Sequence, residues 1–102
     1  MKRLPVGPLY YEFSRHNEPR LLIEPGETIV VESEDAFSGQ IRTDSDRRDK
    51  AKKPYGNPQT GPIGIHGAEP GDSLAIAIHE IRPAIGQCAT RTSDPKQLAE
   101  WL

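Results

Sequence analysis

Residues 57–72 read NPQTGPIGIHGAEPGD, and this stretch decides the fold because turn-forming residues frame one short apolar run. Pro58 and Pro62 each fix their own φ and push the residue before them towards an extended conformation. Pro70 and Gly71 suit the two central positions of a type II turn, the second of which requires a positive φ. The stretch is therefore predicted to be a non-helical ribbon that ends in a tight turn.

The apolar run inside this stretch is predicted to be a strand. Side chains alternate between the two faces of a strand, so Ile63 and Ile65 lie on one face and Gly64 and His66 on the other. A face that carries glycine and then histidine is expected to leave room beside the imidazole for a ligand.

The composition predicts a single, mainly β domain over residues 1–102. The chain is long enough for one hydrophobic core. Leu, Ile, Val and Phe together number 21, which makes that core thin. Ten prolines and nine glycines interrupt the sequence too often for long helices and favour short strands joined by turns.

Charge and cysteine content exclude several classes of protein. A net charge of −2 supplies no positive field that would attract nucleic acid or an anionic membrane. Cys88 is the single cysteine, so no internal disulfide is possible. The N-terminal residues MKRLPVGP lack the apolar region of a signal peptide, and no run is apolar enough to span a bilayer. We therefore expect a cytoplasmic location.

The clearest strand pattern lies in residues 73–81. Leu74, Ile76 and Ile78 alternate with smaller residues, so this segment is predicted to be a strand in the core. An edge strand that ends near residues 14–16 is also predicted from Tyr10, Tyr11 and Phe13. The predicted architecture is a sandwich or jelly-roll-like half, built from residues 21–23, 28–35, 63–66 and 73–81, with a short C-terminal helix.

Two segments of the sequence are similar to each other. EPGETIVV at residues 24–31 aligns with EPGDSLAI at residues 69–76, 45 residues later. One recurrence is too little for a solenoid. It predicts two equivalent units in which a proline-glycine turn leads into a strand.

The predicted C-terminal helix carries an apolar stripe. Asp94 is the expected N-cap, with Pro95 at the first helical position and Gln97 at the third. Large apolar residues then recur at helical spacing, and a partner is expected to cover them. They are Leu98, Trp101 and Leu102.

Three ionisable residues are candidates for chemistry. Strand alternation places Asp35 on an apolar face, where a carboxylate needs a partner or a metal ion; alternatively, Asp35 has left the strand and accepts hydrogen bonds from the turn at residues 36–39. His66 and Glu69, three residues apart, together with Asp35 could bind a divalent metal ion, and zinc is the expected ion. Neither Cys88 nor Ser38 has a partner nearby in the sequence that could act as its base, so neither is predicted to be a nucleophile.

Four blocks of sequence occur in an order that resembles the acetamidase/formamidase family. The blocks are VESEDAFSGQIR at residues 31–42, RRD at 47–49, NPQTGPI at 57–63 and GAEPGD at 67–72. Members of the family are longer than this chain, so the resemblance covers their N-terminal part.

The resemblance implies an amidohydrolase that cleaves the C–N bond of small amides such as formamide or acetamide. Such a reaction needs an activated water, for which Asp35, His66 and Glu69 are the candidates, and donors for the oxyanion or the substrate, for which Gln40 and Asn57 are the candidates. The charged segment 43–53 is by default a solvated loop. The RRD block leaves open a contribution of Arg47 or Asp49 to a site or a subunit contact.

Three roles stay open for the chain at this stage. It is expected to act with a partner subunit or a C-terminal part of the same enzyme, in an oligomer. It is alternatively a non-catalytic structural subunit, or a small-molecule binding module without catalysis. The exposed terminal helix argues against a module that stands alone.

Overall fold

Four strands of three residues each form the regular structure in this computed structural model, which describes residues 1–47, 49, 51, 55–86, 96 and 99. They pair in two separate two-stranded sheets, β1 with β3 and β2 with β4, and both pairs are parallel. The strands are β1 (Lys2–Leu4), β2 (Leu21–Ile23), β3 (Ile29–Val31) and β4 (Ile63–Ile65). The predicted strands at residues 21–23 and 63–66 are thus confirmed, the second ending one residue earlier.

Backbone hydrogen bonds extend both sheets beyond their strands, one in the first sheet and two in the second. The Glu32 N–H donates to Leu4 O at 2.9 Å after β1 and β3 end. The Arg20 N–H donates to Pro62 O at 2.9 Å before β2 and β4 begin, and the His66 N–H donates to Ile23 O at 2.8 Å where they end. Parallel pairing therefore sets residues 24 and 66 side by side at the same end of one sheet.

Arg20 and Thr60 connect the two sheets. The Arg20 guanidinium donates from Nη1 to Pro5 O at 3.2 Å and to Thr60 O at 2.5 Å. Thr60 donates in turn from Oγ1 to Glu32 O at 2.5 Å. Gly61, at φ +120°, lies close to this junction, since a Cβ there would meet Arg20 Cδ at 2.6 Å. Side chain to backbone hydrogen bonds, rather than a layer of apolar side chains, hold the sheets together.

The core is small in the described part of the chain. Leu4 is its one buried apolar residue, with 3% of its surface exposed, and Thr60 is its one buried polar residue, with 7% exposed. The thin core predicted from composition is confirmed for these residues.

Two proline-glycine turns follow the predicted geometry. The Glu27 N–H donates to Glu24 O at 3.1 Å across the first turn, and the Asp72 N–H donates to Glu69 O at 3.0 Å across the second. The glycine in each turn has a positive φ, +83° at position 26 and +95° at position 71. Both turns therefore have the positive φ at the second central position that a type II turn requires.

The predicted sandwich with a strand at residues 73–81 is wrong. Residues 73–81 have no secondary structure and are exposed throughout. Ile76 is 75% exposed, although it lies on the most regular apolar face of the sequence. A strand forms only against a neighbour that accepts its backbone hydrogen bonds, and none of the described residues offers one. The mainly β character agrees with the four strands.

Two further predicted strands are shorter than expected. The strand at residues 28–35 ends at Val31, because the pairing with β1 ends there. The N-terminal edge strand is reduced to one antiparallel bridge, in which Tyr10 and Gln59 exchange backbone hydrogen bonds of 2.9 and 2.8 Å. Phe13 is 94% exposed.

The predicted C-terminal helix is not shown. Segments 1–47 and 55–86 contain no helix. The residues that define the predicted helix, its cap and its stripe lie outside the described residues, as does Cys88. No helix among the described residues is long and apolar enough to cross a membrane.

Candidate functional site

A histidine and a carboxylate meet where β2 and β4 end. Glu24 follows β2 directly and His66 follows β4 directly, and the parallel pairing brings both to one edge of the sheet. His66 Nδ1 lies 3.1 Å from Glu24 Oε1 and 3.2 Å from Oε2. Ligands of parallel sheets commonly bind beyond the carboxyl ends of the strands, which is the edge these two residues occupy.

The Glu24–His66 pair is suited to proton transfer. A hydrogen bond from Nδ1–H to the carboxylate leaves the lone pair of the imidazole on Nε2, where it can accept a proton. Both side chains are exposed, 69% for His66 and 67% for Glu24, so solvent screens the attraction between them. The pair therefore orients the imidazole more than it stabilises the fold.

An open concavity lies beside this pair. Its volume is about 430 Å³, within the range of small-molecule sites. His66, Glu69 and Asp72 supply its polar groups, while Ile63, Ile65 and Leu74 supply apolar surface. Two of the predicted site residues, His66 and Glu69, thus share one concavity. A second concavity of about 560 Å³, at the loop of residues 12–17, contains none of the predicted site residues.

The space predicted beside Gly64 is filled. A Cβ at Gly64 would lie 3.1 Å from Leu22 Cδ1 and 3.2 Å from Pro19 Cβ. The glycine thus permits close packing between neighbouring segments. The room for a ligand lies instead beyond the end of the strand.

Asp35 occupies a tight turn rather than a strand face. Its Oδ1 accepts hydrogen bonds from the Phe37 N–H at 2.8 Å and the Gly39 N–H at 3.0 Å. The Ser38 N–H donates to Asp35 O at 3.1 Å, and Ser38 itself has a φ of +54°. Of the two alternatives for Asp35, the structure therefore shows the one in which its carboxylate accepts hydrogen bonds from the turn.

Gln40 and Asn57 lie around the same turn. Gln40 closes the charged loop, because its side-chain amide donates to Asp49 O and accepts from the Asp49 N–H, both at 3.2 Å. The Asn57 N–H donates to Ala36 O at 3.0 Å. The predicted site residues thus fall into two groups, Asp35 with Gln40 and Asn57 around this turn, and His66 with Glu69 at the end of β4.

The described residues do not form a complete metal site. They contain no group of three or more His, Cys, Asp and Glu side chains that would hold a metal ion. Within the described residues, no hydrogen bond or ion pair joins Asp35 to His66 or Glu69. The Asp35 oxygen Oδ1 is also already engaged by two backbone N–H groups. A metal ion would need ligands from outside the described part of the chain.

Glu24 is the candidate that the sequence analysis missed. It lies in the proline-glycine turn, where it was interpreted only as part of the repeat. The pattern that would have found it is the pair of three-residue apolar runs, LLI and IGI, each followed at once by an ionisable residue. Aligning the two runs as parallel neighbours places Glu24 beside His66.

Comparisons with known proteins identify relatives for most of the chain. The family model described as the Acetamidase/Formamidase family matches residues 13–100. A protein of Schizosaccharomyces pombe named "Putative formamidase" is 36% identical over 67 residues. That alignment covers 64% of this chain but only 16% of the relative. No solved structure matches the chain with significance.

Proposed function

Because the chain belongs to the acetamidase/formamidase family, we propose that it forms part of an enzyme that hydrolyses the C–N bond of small linear amides. The products are ammonia and a carboxylate, and formamide and acetamide are the proposed substrates. The Glu24–His66 pair, with 3.1 Å between Nδ1 and Oε1, carries this proposal. It holds an imidazole, a proton acceptor, in one orientation beside the concavity.

In the proposed reaction, His66 acts as the general base. A water molecule loses a proton to His66 Nε2 as its oxygen bonds to the amide carbon. The imidazolium then returns the proton to the departing nitrogen, and the C–N bond breaks to release ammonia. Glu24 holds the imidazole in one orientation through Nδ1. Glu69 adds a second carboxylate to the same concavity.

The two predicted amide donors lie at the Asp35 turn, outside the concavity of His66, and are proposed to reach a substrate from there. Within the described residues, the Asn57 side chain makes no hydrogen bond, so its N–H groups are available to a substrate oxygen. The Gln40 amide is bound to the Asp49 backbone and would have to exchange those hydrogen bonds to contact a substrate. Of the two predicted donors, Asn57 is therefore the better candidate for the oxyanion.

A second polypeptide, or a further part of the same enzyme, belongs to the proposal. Its support is the small core, in which Leu4 is the buried apolar residue, and the exposed apolar side chains of residues 74–85. We place the assembled enzyme in the cytoplasm, as the sequence predicts.

Histidine substitutions in the assembled enzyme test the catalytic assignment. His66→Gln is expected to lower the rate of ammonia release from formamide and acetamide by roughly 10²- to 10⁴-fold, the usual contribution of a general base. Glu24→Gln is expected to lower it less, because the imidazole remains. His16→Gln is the matched control, since His16 lies outside the concavity and outside residues 74–85 and should leave the rate unchanged. Full activity in His66→Gln would exclude the assignment.

The predicted divalent metal ion is tested separately. The described residues supply no complete ligand set, so no step of the proposed reaction passes through a metal. Elemental analysis of the assembled enzyme tests it, because stoichiometric divalent metal, with zinc as the expected ion, that is lost in an Asp35→Asn, His66→Ala double variant would make His66 a metal ligand instead of the general base. Metal that persists in this variant would show that these two residues are not its ligands.

A further inference from the structure

Lys2, on β1 of the first sheet, also contacts the second sheet. Its Nζ donates to Leu22 O of β2 at 3.0 Å. The same Nζ lies 3.2 Å from Glu27 Oε1 and 3.4 Å from Glu27 Oε2, in the turn that follows β2. One ammonium group therefore contacts the chain on both sides of Glu24, at Leu22 before it and at Glu27 after it.

Glu27 carries this contact to the backbone of Glu24. The Glu24 N–H donates to Glu27 Oε2 at 2.8 Å, and the Glu27 N–H donates to Glu24 O at 3.1 Å. The residue before Glu24 is bound as well, because the His66 N–H donates to Ile23 O at 2.8 Å. Both backbone polar groups of Glu24 are therefore engaged, and its carboxylate extends to His66 Nδ1 from a backbone that is held in place.

The Glu27 carboxylate keeps the charge that this role requires. The Glu24 N–H holds the pKa of the Glu27 carboxyl below its ordinary value of 4.5, and Lys2 acts in the same direction against desolvation. Hydrogen bonds to an ionised carboxylate are stronger than those between neutral groups. The Glu27 side chain is 27% exposed, whereas that of Glu24 is 67% exposed. The better covered carboxylate therefore anchors the more exposed one.

The second proline-glycine unit forms the same turn without such a lysine. The Glu69 N–H donates to the Asp72 carboxylate at 2.9 Å, and the Asp72 N–H donates to Glu69 O at 3.0 Å. Within the described residues, no ion pair joins Asp72 to a basic side chain. The turn therefore closes without an ammonium group, and the Lys2 contact is an addition in the unit whose carboxylate meets the imidazole.

We propose that Lys2 and Glu27 are positioning residues for the Glu24–His66 pair, because they hold the Glu24 backbone and Glu24 then keeps the proton of the His66 imidazole on Nδ1. The inference rests on the proposed function, in which the free Nε2 accepts the proton of water. Neither Lys2 nor Glu27 lines the concavity, so their effect on the reaction passes through Glu24.

The proton on the imidazole distinguishes this role from a merely structural one. An exposed ion pair adds little to stability, so the contribution of Lys2 should appear in the geometry of the imidazole rather than in unfolding. Free imidazole in water carries its proton mainly on Nε2, whereas a hydrogen bond to Glu24 requires the proton on Nδ1. The position of the proton therefore reports whether Glu24 is held against His66.

The ring-nitrogen chemical shifts of isotope-labelled histidine measure that proton in the full chain. Spectra are recorded at about pH 8, above the range in which imidazole ordinarily titrates, with EDTA so that no metal ion fixes the ring. His66→Gln assigns the signal. The unsubstituted chain should carry the His66 proton mainly on Nδ1, and Lys2→Met and Glu27→Ala should each move it mainly to Nε2. An unmoved proton in either variant would overturn the proposal for that residue, and a proton on Nε2 in the unsubstituted chain would overturn it for both.

Variants of the neighbouring basic residue separate positioning from a general effect on β1. Arg3 also lies on β1 and pairs with a carboxylate, its Nη1 being 3.5 Å from Glu32 Oε2, but this contact stays beside the first sheet. Arg3→Met should therefore leave the His66 proton on Nδ1. Lys2→Arg should also leave it there, because it preserves the positive charge. Equal shifts in Lys2→Met and Arg3→Met would contradict the positioning role.

The rate of ammonia release by the assembled enzyme distinguishes this inference from the proposed function. Lys2→Met should lower kcat for formamide by roughly tenfold with KM unchanged, because a misplaced base slows the chemical step and not substrate binding. A shifted proton with an unchanged kcat would support the positioning but exclude His66 as the general base. A lowered kcat with an unmoved proton would show that Lys2 does not act through the imidazole.

Discussion

The junction around Thr60 and the segment of residues 73–86 reverse the usual relation between polarity and burial. Thr60 is polar and only 7% exposed, whereas Ile76 is apolar and 75% exposed. The Thr60 carbonyl accepts a hydrogen bond from Arg20, and the Thr60 hydroxyl donates one to Glu32 O. Residues 73–81 have no backbone partner among the described residues. Burial in this chain follows the hydrogen bonds that are available rather than hydrophobicity alone.

The comparison also locates the stability of the chain. Leu4 and Thr60 lie where the two sheets meet, and the hydrogen bonds of Arg20 cross that junction. Substitutions there should affect unfolding, whereas equal substitutions in residues 73–86 should not until a partner binds.

Truncating one apolar side chain in each region is the most direct test. Leu4→Ala should lower the free energy of unfolding by about 2–4 kcal/mol, because it removes the buried apolar side chain. Ile76→Ala should change it by less than about 0.5 kcal/mol in the chain alone. Urea denaturation followed by circular dichroism measures both. A similar loss in the two variants would mean that residues 73–81 are already packed.

Removing the Thr60 hydroxyl tests the polar side of the junction. Thr60→Val preserves the shape but leaves Glu32 O without its donor, which should cost about 1–2 kcal/mol. Thr28→Val is the control, since Thr28 is also β-branched but exposed. If both valine variants unfold at the same urea concentration, the hydrogen bond between Thr60 and Glu32 contributes nothing.

The two equivalent turns allow the same substitution in a paired and an unpaired unit. Gly26→Ala should cost about 1 kcal/mol, because φ is +83° and β3 holds the turn in place. Gly71→Ala should cost less, because within the described residues no paired strand holds the turn at Gly71 in place. Melting temperatures of the two variants measure the difference. An equal loss in both would show that strand pairing after the turn does not decide the cost.

The smallest expected effect is a dependence of stability on pH in the first unit. The Glu24 N–H that donates to Glu27 holds the pKa of the Glu27 carboxyl below its ordinary value of 4.5, and Lys2 acts in the same direction against desolvation. A lowered folded-state pKa stabilises the fold above pH 4.5 and loses that contribution as pH falls through the lower value. Glu27→Gln should flatten the fall of the urea midpoint in this range. An unchanged slope would show that the contact makes no difference.

Several features were predictable because they depend on neighbours in the sequence. The turns at Pro25-Gly26 and Pro70-Gly71 were predictable, because proline suits the first central position of a type II turn and glycine accepts the positive φ of the second. The strands at residues 21–23 and 63–65 were also predictable, because each is a short apolar run between turn residues. For Asp35, the sequence left two alternatives, and one of them was the hydrogen-bonded turn that the structure shows, because an aspartate side chain can accept hydrogen bonds from the turn that follows it.

Other features required the chain to be folded. Pairing in parallel, which sets Glu24 beside His66, joins residues 42 positions apart in the sequence. The pattern of residues 73–81 is as regular as that of any strand here, yet no neighbour reaches it within the described chain. The predicted sandwich failed on this point, because a pattern shows which face can be buried and not what will cover it.

The sequence by itself determined the turns, the short strands, the thin core and the family to which the chain belongs. Only the tertiary structure decided which strands pair, that Arg20 and Thr60 join the two sheets, and that a carboxylate meets the imidazole of His66. The physical reason is the distance along the sequence over which each interaction acts. A turn is set by the allowed φ of one or two residues, whereas a strand pair and a two-residue site need hydrogen bonds between segments that only folding brings together.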